Sequence, residues 1–240
     1  MLLERIFAFL SQSSASIYLV GGCLRQRLLD LPVNDYDFIV FQNAISLAES
    51  LAKRFNLPWF VLDQERDMAR VVVDDIELDF SLMQGTDLVD DLLQRDITIN
   101  AMAYPVDSAI LSDTWVLDPA LLIDPMGGFH DLQNGLIKGI RLQNFESDPL
   151  RLLRVFRFSV RLSFDIDKET FAWVESLHLR IQDPAKERLM HELFLILRCE
   201  HSAEICQRMN QAGLLSIILG LSHAHLDRLR LWVSLGGFIG

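Results

Sequence analysis

The stretch Tyr18–Val40 decides the fold, and it reads YLVGGCLRQRLLDLPVNDYDFIV. A short β-type run, Ile17–Val20, ends at a pair of glycines. The helical pattern of Leu24–Leu31 follows, and a second predicted strand, Asp37–Phe41, comes after it. A strand, a glycine turn, a helix and another strand in this order predict the beginning of a domain that contains both helices and a sheet.

The same stretch carries residue types suited to phosphate and metal binding. Gly21 and Gly22 let the backbone pass close to a bulky anion, at the beginning of a helix whose free N–H groups favour negative charge. Arg25 lies one turn into that helix and can reach the same phosphates. Asp35 and Asp37 project from one face of a strand, where their oxygens suit Mg²⁺. Each pair alone is more often structural, and their spacing together favours the functional interpretation.

A third carboxylate would complete a site for two metal ions. Asp79 is the best candidate, because a charged residue inside the apolar run Ile76–Leu82 needs a compensating partner such as a metal. Glu77 is two positions away on the same face and is the second candidate.

The elements outside this stretch predict two domains. The remaining predicted elements of the first half are a helix over Leu2–Leu10, a helix over Ala44–Phe55, and strands over Trp59–Leu62, Ala69–Val73 and Ile76–Leu82. They indicate a mixed sheet with helices on one face. From Ser147 onward the pattern is wholly helical, with predicted helices Asp148–Leu162, Lys168–Leu177, Ala185–Leu197, Ala203–Ala212 and Leu226–Leu235. We therefore expect an α+β head over residues 1–138 and a helical part over residues 139–240.

Composition limits the classes of function. The 240-residue chain has a net charge of −11, which argues against nonspecific attraction to nucleic acid, so RNA binding would need a local basic surface. Three cysteines without a metal-ligand or disulfide pattern are typical of reduced thiols in the cytoplasm. No membrane span or signal peptide is predicted, and the six histidines have no metal-ligand context. We expect a soluble, cytoplasmic protein.

Five ordered motifs resemble those of class II tRNA nucleotidyltransferases (CCA-adding enzymes) and bacterial poly(A) polymerases. They are YLVGGCLRQRLLDLPVNDYDFIV at 18–40, QRDITINAMAY at 94–104, DPMGGFHDLQNGLI at 124–137, DPLRLLRVFRFSVR at 148–161 and AKERLMHEL at 185–193. The resemblance covers residues 17–197 and implies an α+β fold: a polymerase beta-like nucleotidyltransferase head with a mixed sheet, an all-α neck and the beginning of a body domain.

The resemblance also implies roles for the matched residues. Asp35 and Asp37 would bind Mg²⁺ and act in catalysis, with Asp79 at or near the third carboxylate. The residues expected to contact the triphosphate are Gly21, Gly22 and Arg25, and those expected to contact the sugar and phosphates of the incoming nucleotide are Arg95, Asp96 and Asn100. In such enzymes the neck selects C or A with an amino-acid template, which corresponds here to Asp148 and Arg151.

The neck pattern agrees with that expectation. Arg151, Arg154, Arg157 and Arg161 recur at steps of three and four residues, so they line one broad side of a helix. A guanidinium offers a planar fork of donors suited to a base edge or a phosphate. Asp148 lies one turn before Arg151 and can orient it. A solvated, salt-bridged helix is the commoner fate of such a stripe, and the other motifs favour the functional interpretation.

Two differences from the family pattern affect specificity and completeness. Only a short stretch, Ser81–Gln94, joins the third-carboxylate strand to the QRDITINAMAY motif, whereas many CCA-adding relatives have a longer loop there. This favours an enzyme that adds CC to the tRNA 3′ end from CTP; alternatives are addition of A from ATP, poly(A) synthesis, and a truncated, non-catalytic relic. The helical body is expected to be truncated, because relatives continue beyond the point at which this chain stops.

Overall fold

The computed structural model describes residues 2–106 and 117–220. The chain divides into two compact units. The first unit consists of Met1–Arg95 and Ile99–Phe129, and the second consists of Asp96–Thr98 and His130–Gly240. The predicted helix Leu226–Leu235 lies outside the described residues. The domain boundary after residue 138 stays a prediction.

The first unit contains a six-stranded mixed sheet, which confirms the predicted sheet type. Its strands are β1 (Ile17–Val20), β2 (Asp35–Val40), β3 (Trp59–Asp63), β4 (Met68–Val73), β5 (Ile76–Leu82) and β6 (Ala103–Pro105). Their order is β3-β4-β5-β2-β1-β6. Strands β2 and β5 pair in parallel, and the other neighbours pair antiparallel. The parallel pair therefore lies in the middle of the sheet.

The helices that begin in the first unit are α1 (Leu2–Ser11), α2 (Gly22–Leu28), α3 (Ala44–Phe55), α4 (Leu88–Leu93) and α5 (Gly128–Gln133). Helix α2 begins directly after Gly21, two residues earlier than predicted, because the turn at Gly21 leads straight into helical backbone. Strand β2 also begins two residues early, because Asp35 pairs in register with Glu77 of β5. The sequence patterns did not predict α4 or β6.

Alternation along β2 and β5 separates an apolar face of the sheet from a polar one. Phe38 and Phe80 lie side by side on neighbouring strands, with their rings stacked at 4.8 Å between centroids. Phe7 of α1 contacts Phe38 at 5.7 Å, and all three rings are buried. Successive strand residues point to opposite faces, so the intervening residues Asp35 and Asp37 lie on the other side. The core therefore fixes which way the acidic residues point.

Helix α3 is capped from a distant part of the chain. Asn43, the residue before the helix, makes no side-chain cap. Asp67, in the turn between β3 and β4, instead accepts hydrogen bonds from the Ala44 and Ile45 backbone N–H groups at 2.9 and 2.8 Å. Both oxygens of one carboxylate thus satisfy two N–H groups that a helix leaves without an intrahelical partner.

The second unit is mainly helical. Its helices after α5 are α6 (Leu142–Ser147), α7 (Arg151–Leu162), α8 (Lys168–Leu177), α9 (Lys186–Leu197), α10 (Ser202–Gln211) and α11 (Leu214–Leu219). The predicted helix Lys168–Leu177 is confirmed with the same bounds, and Asp167 caps it by accepting a hydrogen bond from the Thr170 N–H. Helix α7 begins three residues later than predicted, at Arg151.

The prediction that the chain is wholly helical after Ser147 is wrong. Strand β8 (Asp165–Ile166) pairs in parallel with β7 (Leu136–Ile137). The Asp165 N–H donates to the Gly135 carbonyl at 2.8 Å, and Ile137 and Ile166 are both buried. A strand of two residues is too short for an alternating pattern to reveal it. Across residues 2–106 and 117–220, no helix has the length and apolarity to cross a membrane.

Candidate active site

An acidic face lies on the polar side of the central parallel strands in the first unit. In register across three strands, Arg70 of β4 is next to Asp79 of β5, which is next to Asp37 of β2. In the following row, Glu77 of β5 is next to Asp35 of β2. Directly paired residues share a face of a sheet, so four carboxylates and one guanidinium lie together. We call these five residues the acidic face.

Arg70 is bound to two of these carboxylates. Its Nε and Nη2 donate to the two oxygens of Asp79 at 2.6 and 2.7 Å, which is a bidentate pair. Its Nη1 forms an ion pair with Glu77. The pKa of Arg70 is raised, chiefly by the hydrogen bond to Asp79 and by the negative charges of Asp79, Glu77 and Asp35. Asp79, the predicted third carboxylate, is thus anchored to an arginine.

Asp37 carries the perturbed carboxyl group of the acidic face. Burial raises its pKa, and the negative charges of Asp79 and Asp35 raise it further. The positive charges of Arg95 and Arg70 act in the opposite direction without cancelling the shift. The positive charges of the protein therefore compensate an ionised carboxylate at this position only in part.

Gly21 allows the chain to turn directly beside Asp37. Its φ is +72°, a conformation that residues with a side chain rarely adopt. A Cβ atom there would lie 3.0 Å from Nη1 of Arg95 and 3.4 Å from Oδ2 of Asp37. Both the backbone conformation and the close approach therefore require glycine, and Gly22 begins helix α2 immediately afterwards.

Arg25, Arg95 and Asn100 lie together in the first unit. Arg25 is buried and donates through Nη1 to Oδ1 of Asn100, which is buried as well. Arg95 donates through Nη1 to the Asn100 carbonyl at 3.4 Å, and its Nη2 lies 3.4 Å from Oδ1 of Asp91. The structure thus joins residues of the first and second sequence motifs in one cluster, next to Gly21.

The donor set of the acidic face fits a hard divalent cation. Asp35 is exposed, Asp37 is partly exposed, and carboxylates are the ligands that Mg²⁺ prefers. A cation there would supply the positive charge that Asp37 lacks. No group of three or more His, Cys, Asp or Glu ligands converges on a single point in the part of the chain that the structure describes. The remaining ligands would come from substrate phosphates.

Helix α7 of the second unit carries the predicted neck arginines. Arg154 and Arg157 lie over the ring of Phe158, with guanidinium carbons 5.3 and 4.6 Å from its centroid. Arg157 Nε is 2.9 Å from an oxygen of Glu192 in α9, without the angle of a hydrogen bond. Arg154 Nη1 lies 4.0 Å from the other oxygen of Glu192. The two central arginines of the stripe are therefore balanced by a nearly buried glutamate.

Asp96 lies in the second unit with Arg154. It is only 5% exposed and accepts a hydrogen bond from Nε of Arg154 at 2.7 Å. Burial lowers the pKa of Arg154, but the charge of Asp96, its hydrogen bond and the charge of Glu192 outweigh that effect and raise it overall. At Arg157 burial prevails and lowers the pKa despite Glu192. Asp96 thus anchors the arginine stripe.

Asp148 and Arg151 lie at the beginning of α7. The Arg151 backbone N–H donates to the Asp148 carbonyl at 3.0 Å, as in the first turn of a helix. The Asp148 carboxylate accepts a hydrogen bond from Nη2 of Arg188 in α9 at 3.3 Å. The sequence predicted Arg151 as the partner that Asp148 orients, and the structure adds Arg188 as a partner.

Two aspartates of the DPMGGFHDLQNGLI motif have structural roles, one in each unit. Within the first unit, Asp124 accepts hydrogen bonds from the Gly128 and Phe129 N–H groups at 2.7 and 2.9 Å and so caps α5. Within the second unit, Asp131 accepts a hydrogen bond from Oγ1 of Thr98 at 2.7 Å. Asp124 therefore holds local backbone, Asp131 holds a threonine hydroxyl 33 residues away, and neither belongs to the acidic face.

Sequence reasoning missed three charged residues of these clusters. They are Arg70, Arg188 and Glu192. Arg70 had a signal, since it lies in an alternating strand on the same face as Asp79. Arg188 and Glu192 lie within the AKERLMHEL motif, but their partners, Asp148 just before α7 and Arg157 on α7, are 40 and 35 residues away in sequence. Only the packing of α7 with α9 reveals those pairs.

Comparison with known proteins identifies the family. The family described as "Poly A polymerase head domain" matches residues 17–138. A second one, described as "Probable RNA and SrmB- binding site of polymerase A", matches residues 163–224. The first match includes all five residues of the acidic face.

Relatives and solved structures give the same assignment. The CC-adding tRNA nucleotidyltransferase of Geobacter sulfurreducens is 35% identical over 212 residues, which cover 88% of this chain and 47% of the relative. The A-adding tRNA nucleotidyltransferase of Aquifex aeolicus is 31% identical over 84% of this chain and 25% of its own length. A solved tRNA-processing enzyme with CTP matches with a TM-score of 0.77 at 31% identity, over 89% of this chain and 57% of that one. The chain thus spans about half the length, or less, of these curated relatives. It belongs to the family of tRNA nucleotidyltransferases and bacterial poly(A) polymerases.

Proposed function

We propose that the chain is a template-independent nucleotidyltransferase that adds C to the 3′ end of tRNA. The tRNA 3′-hydroxyl attacks the α-phosphate of CTP, the new phosphodiester bond forms, and pyrophosphate leaves. The observation that carries the proposal is the acidic face, in which Asp35 and Asp37 share a side of the sheet and Gly21 turns next to Asp37. Relatives named for CC and A addition to tRNA support the substrate class.

In this proposal Asp35 and Asp37 hold Mg²⁺, and Asp79, with Glu77 as the alternative, supplies the third carboxylate. Mg²⁺, when bound, favours ionisation of the attacking hydroxyl and stabilises the charge of the leaving pyrophosphate. The core beneath β2 and β5 keeps the carboxylates in register, so the reacting groups meet in one orientation.

The nucleotide contacts are proposed for both units. In the first unit Gly21, Gly22 and Arg25 hold the triphosphate, and Arg95 and Asn100 contact the sugar and phosphates. In the second unit Asp96 is the residue proposed to contact the sugar and phosphates. The template that selects the base is assigned to Asp148 and Arg151, with Arg154 and Arg157 next to them on α7.

CC addition is favoured over A addition by the short connection between β5 and the QRDITINAMAY motif. Much of that connection is helix α4, capped by Asp87, with Gln84 N–H bound to Asp91 at 2.8 Å. A compact connection of this kind leaves little chain for a long loop. A addition or poly(A) synthesis is the alternative enzyme function, and the Aquifex relative is named for A addition. A non-catalytic relic that binds nucleotide is the alternative outside enzymes.

The proposed location is the cytoplasm, and the proposed catalytic head comprises residues 1–138. All three cysteines, Cys23, Cys199 and Cys206, are free thiols, which supports a reducing compartment. Burial raises the pKa of the Cys23 thiol to about 12, and the charge of Asp37 adds to this, so Cys23 stays protonated.

The test is incorporation of labelled CTP or ATP into tRNAs that end at the discriminator base, at C or at CC, with Mg²⁺. We expect two C residues to be added and the reaction then to stop. Asp35→Ala should abolish incorporation, whereas Asp75→Ala, an exposed aspartate in the turn between β4 and β5, should not.

Each other outcome selects an alternative. Addition of A to the CC-ended tRNA would identify an A-adding enzyme, and long A tails on unrelated RNA would identify a poly(A) polymerase. Binding of CTP without incorporation would identify the relic. Unchanged turnover in Asp35→Ala would overturn the assignment of the metal site.

A further inference from the structure

Arg70 lies where the acidic face needs a cation. The four carboxylates of that face belong to β2 and β5, and Arg70 is on β4, in the row of Asp79 and Asp37. Its guanidinium uses both oxygens of Asp79 and also reaches Glu77. Two of the four carboxylates are therefore neutralised from within the protein.

The geometry of this contact depends on arginine. A guanidinium presents two parallel N–H donors that match the two oxygens of a carboxylate, whereas a lysine ammonium is a point charge. The bidentate pair fixes the plane of the Asp79 carboxylate next to Asp37 and directs its lone pairs toward Arg70. Arg70 and Asp79 are both about three-quarters buried, so water screens the pair only partly.

We propose that Arg70 is a positioning residue that serves as an internal cation of the acidic face, holding Asp79 next to Asp37 and competing with the divalent cation for the negative charge. This inference rests on the proposed metal site at Asp35 and Asp37. Each Asp79 oxygen that accepts from Arg70 keeps a second lone pair for a cation, but the guanidinium already neutralises part of the charge that would attract it. Arg70 therefore limits the affinity for the cation and keeps the carboxylates ordered before it binds.

The first test is a titration of the full chain with Mn²⁺, monitored by electron paramagnetic resonance without nucleotide or tRNA. Arg70→Gln removes the charge and the bidentate pair, so Mn²⁺ should bind about three- to tenfold more tightly. The matched control is Arg66→Gln, the same change at an exposed arginine in the turn between β3 and β4, which should leave the affinity unchanged. Equal or weaker binding to Arg70→Gln would overturn the inference.

The second test needs no metal. In EDTA, Arg70→Gln should unfold at a lower temperature than Arg66→Gln, because it leaves Asp79 and Glu77 without their guanidinium. The double variant Arg70→Gln/Asp79→Asn should recover part of the loss, since it also removes one negative charge. A midpoint for Arg70→Gln equal to that of the control would contradict a holding role for Arg70.

A third readout separates positioning from simple charge balance. Arg70→Lys keeps the positive charge but not the bidentate pair, so its Mn²⁺ affinity should stay close to the wild-type value while kcat falls and KM for CTP changes little. A wild-type kcat in Arg70→Lys would show that Arg70 contributes only its positive charge and does not position Asp79. Loss of Mn²⁺ binding in Asp37→Asn tests the proposed metal site itself, and the EDTA measurement still decides the inference if that site fails.

Discussion

The acidic face of the first unit and helix α7 of the second unit handle charge in opposite ways. On the acidic face, four carboxylates share one guanidinium, and the pKa of Asp37 is raised. On α7, the central arginines Arg154 and Arg157 face the carboxylates of Asp96 and Glu192. One cluster has an excess of negative charge, and the other is close to balance.

The difference shows where an external ligand is needed. Buried or half-buried ions are stable only with partners, and α7 obtains its partners from the protein. The acidic face obtains only part of the positive charge that it needs from the protein, so it is the part of the molecule that a divalent cation would stabilise. The balanced network of α7 instead keeps its arginines in fixed positions, as the base selection proposed for this helix would require.

The largest expected loss of stability comes from Glu192→Gln, which affects the arginines of helix α7. This change removes the charge that Arg154 and Arg157 share, and the free energy of unfolding should fall by about 2–3 kcal/mol. Chemical denaturation measures it, with Glu187→Gln, an exposed glutamate on the same helix, as the matched control. If both variants unfold alike, α7 is not held by its ion pairs and the comparison fails.

A smaller loss of stability is expected for a substitution at Gly21, next to the acidic face. Gly21→Ala and Gly127→Ala both place a side chain at positive φ, +72° and +71°, and each should lose about 1–2 kcal/mol of stability. Only the Cβ at Gly21 meets Arg95 and Asp37, whereas nothing lies within 4 Å of the one at Gly127. Nucleotide incorporation should therefore fall in Gly21→Ala and persist in Gly127→Ala. Equal activity of the two variants would show that Gly21 is not part of the active site.

Asp37→Asn should have the opposite effect on stability and make the metal-free protein more stable than wild type. Because the folded-state pKa of Asp37 is raised, stability falls as the pH rises from the ordinary aspartate pKa to the folded-state pKa, and the loss is complete above it. In EDTA at neutral pH the asparagine variant should therefore unfold at a somewhat higher temperature than wild type, while losing activity. The gain should disappear below the ordinary aspartate pKa of 3.8, where both folded and unfolded chains hold the proton. A lower midpoint at neutral pH would contradict the excess of negative charge.

The smallest effect is expected for Arg188→Gln. Its partner Asp148 is one-third exposed and the arginine itself is 58% exposed, so the loss of stability should stay below about 0.5 kcal/mol. The ratio of CTP to ATP incorporation is the sensitive measurement, because Asp148 belongs to the proposed template. A loss of stability as large as that of Glu192→Gln would show that exposed and buried pairs contribute alike here.

Local patterns predicted much of the fold. Helix α3 and strands β1 and β5 have the predicted bounds, because turns and apolar periodicity agree there. Strand β8 escaped prediction because it has only two residues, and α4 because Leu88–Leu93 is too short for a helical period. The early beginning of β2 depends on pairing with β5, which no local pattern encodes.

Most residues of the candidate site were predicted from the sequence, but the pairs that they form were not. The glycine turn and the two aspartates of β2 follow from residue type and spacing. The bond between Asp96 and Arg154 joins residues 58 positions apart and cannot be read from spacing, whereas Arg70 and Asp79 are opposite each other across the two-residue turn Asp74-Asp75, which gave a signal that was missed. Burial is also a property of the folded chain, and it is the largest cause of the raised pKa of Asp37.

The cap of helix α3 links the order of folding to the hairpin of β3 and β4. Asp67 follows Ile45 by 22 residues, so the first turn of α3 acquires its two carboxylate hydrogen bonds only after β3 has formed and the chain has turned back. Closing a loop of this length costs entropy before the cap forms. An isolated peptide of residues 44–55 would therefore be less helical than the same segment in the protein. It would lack the two hydrogen bonds from Asp67 that stabilise the first turn of the helix.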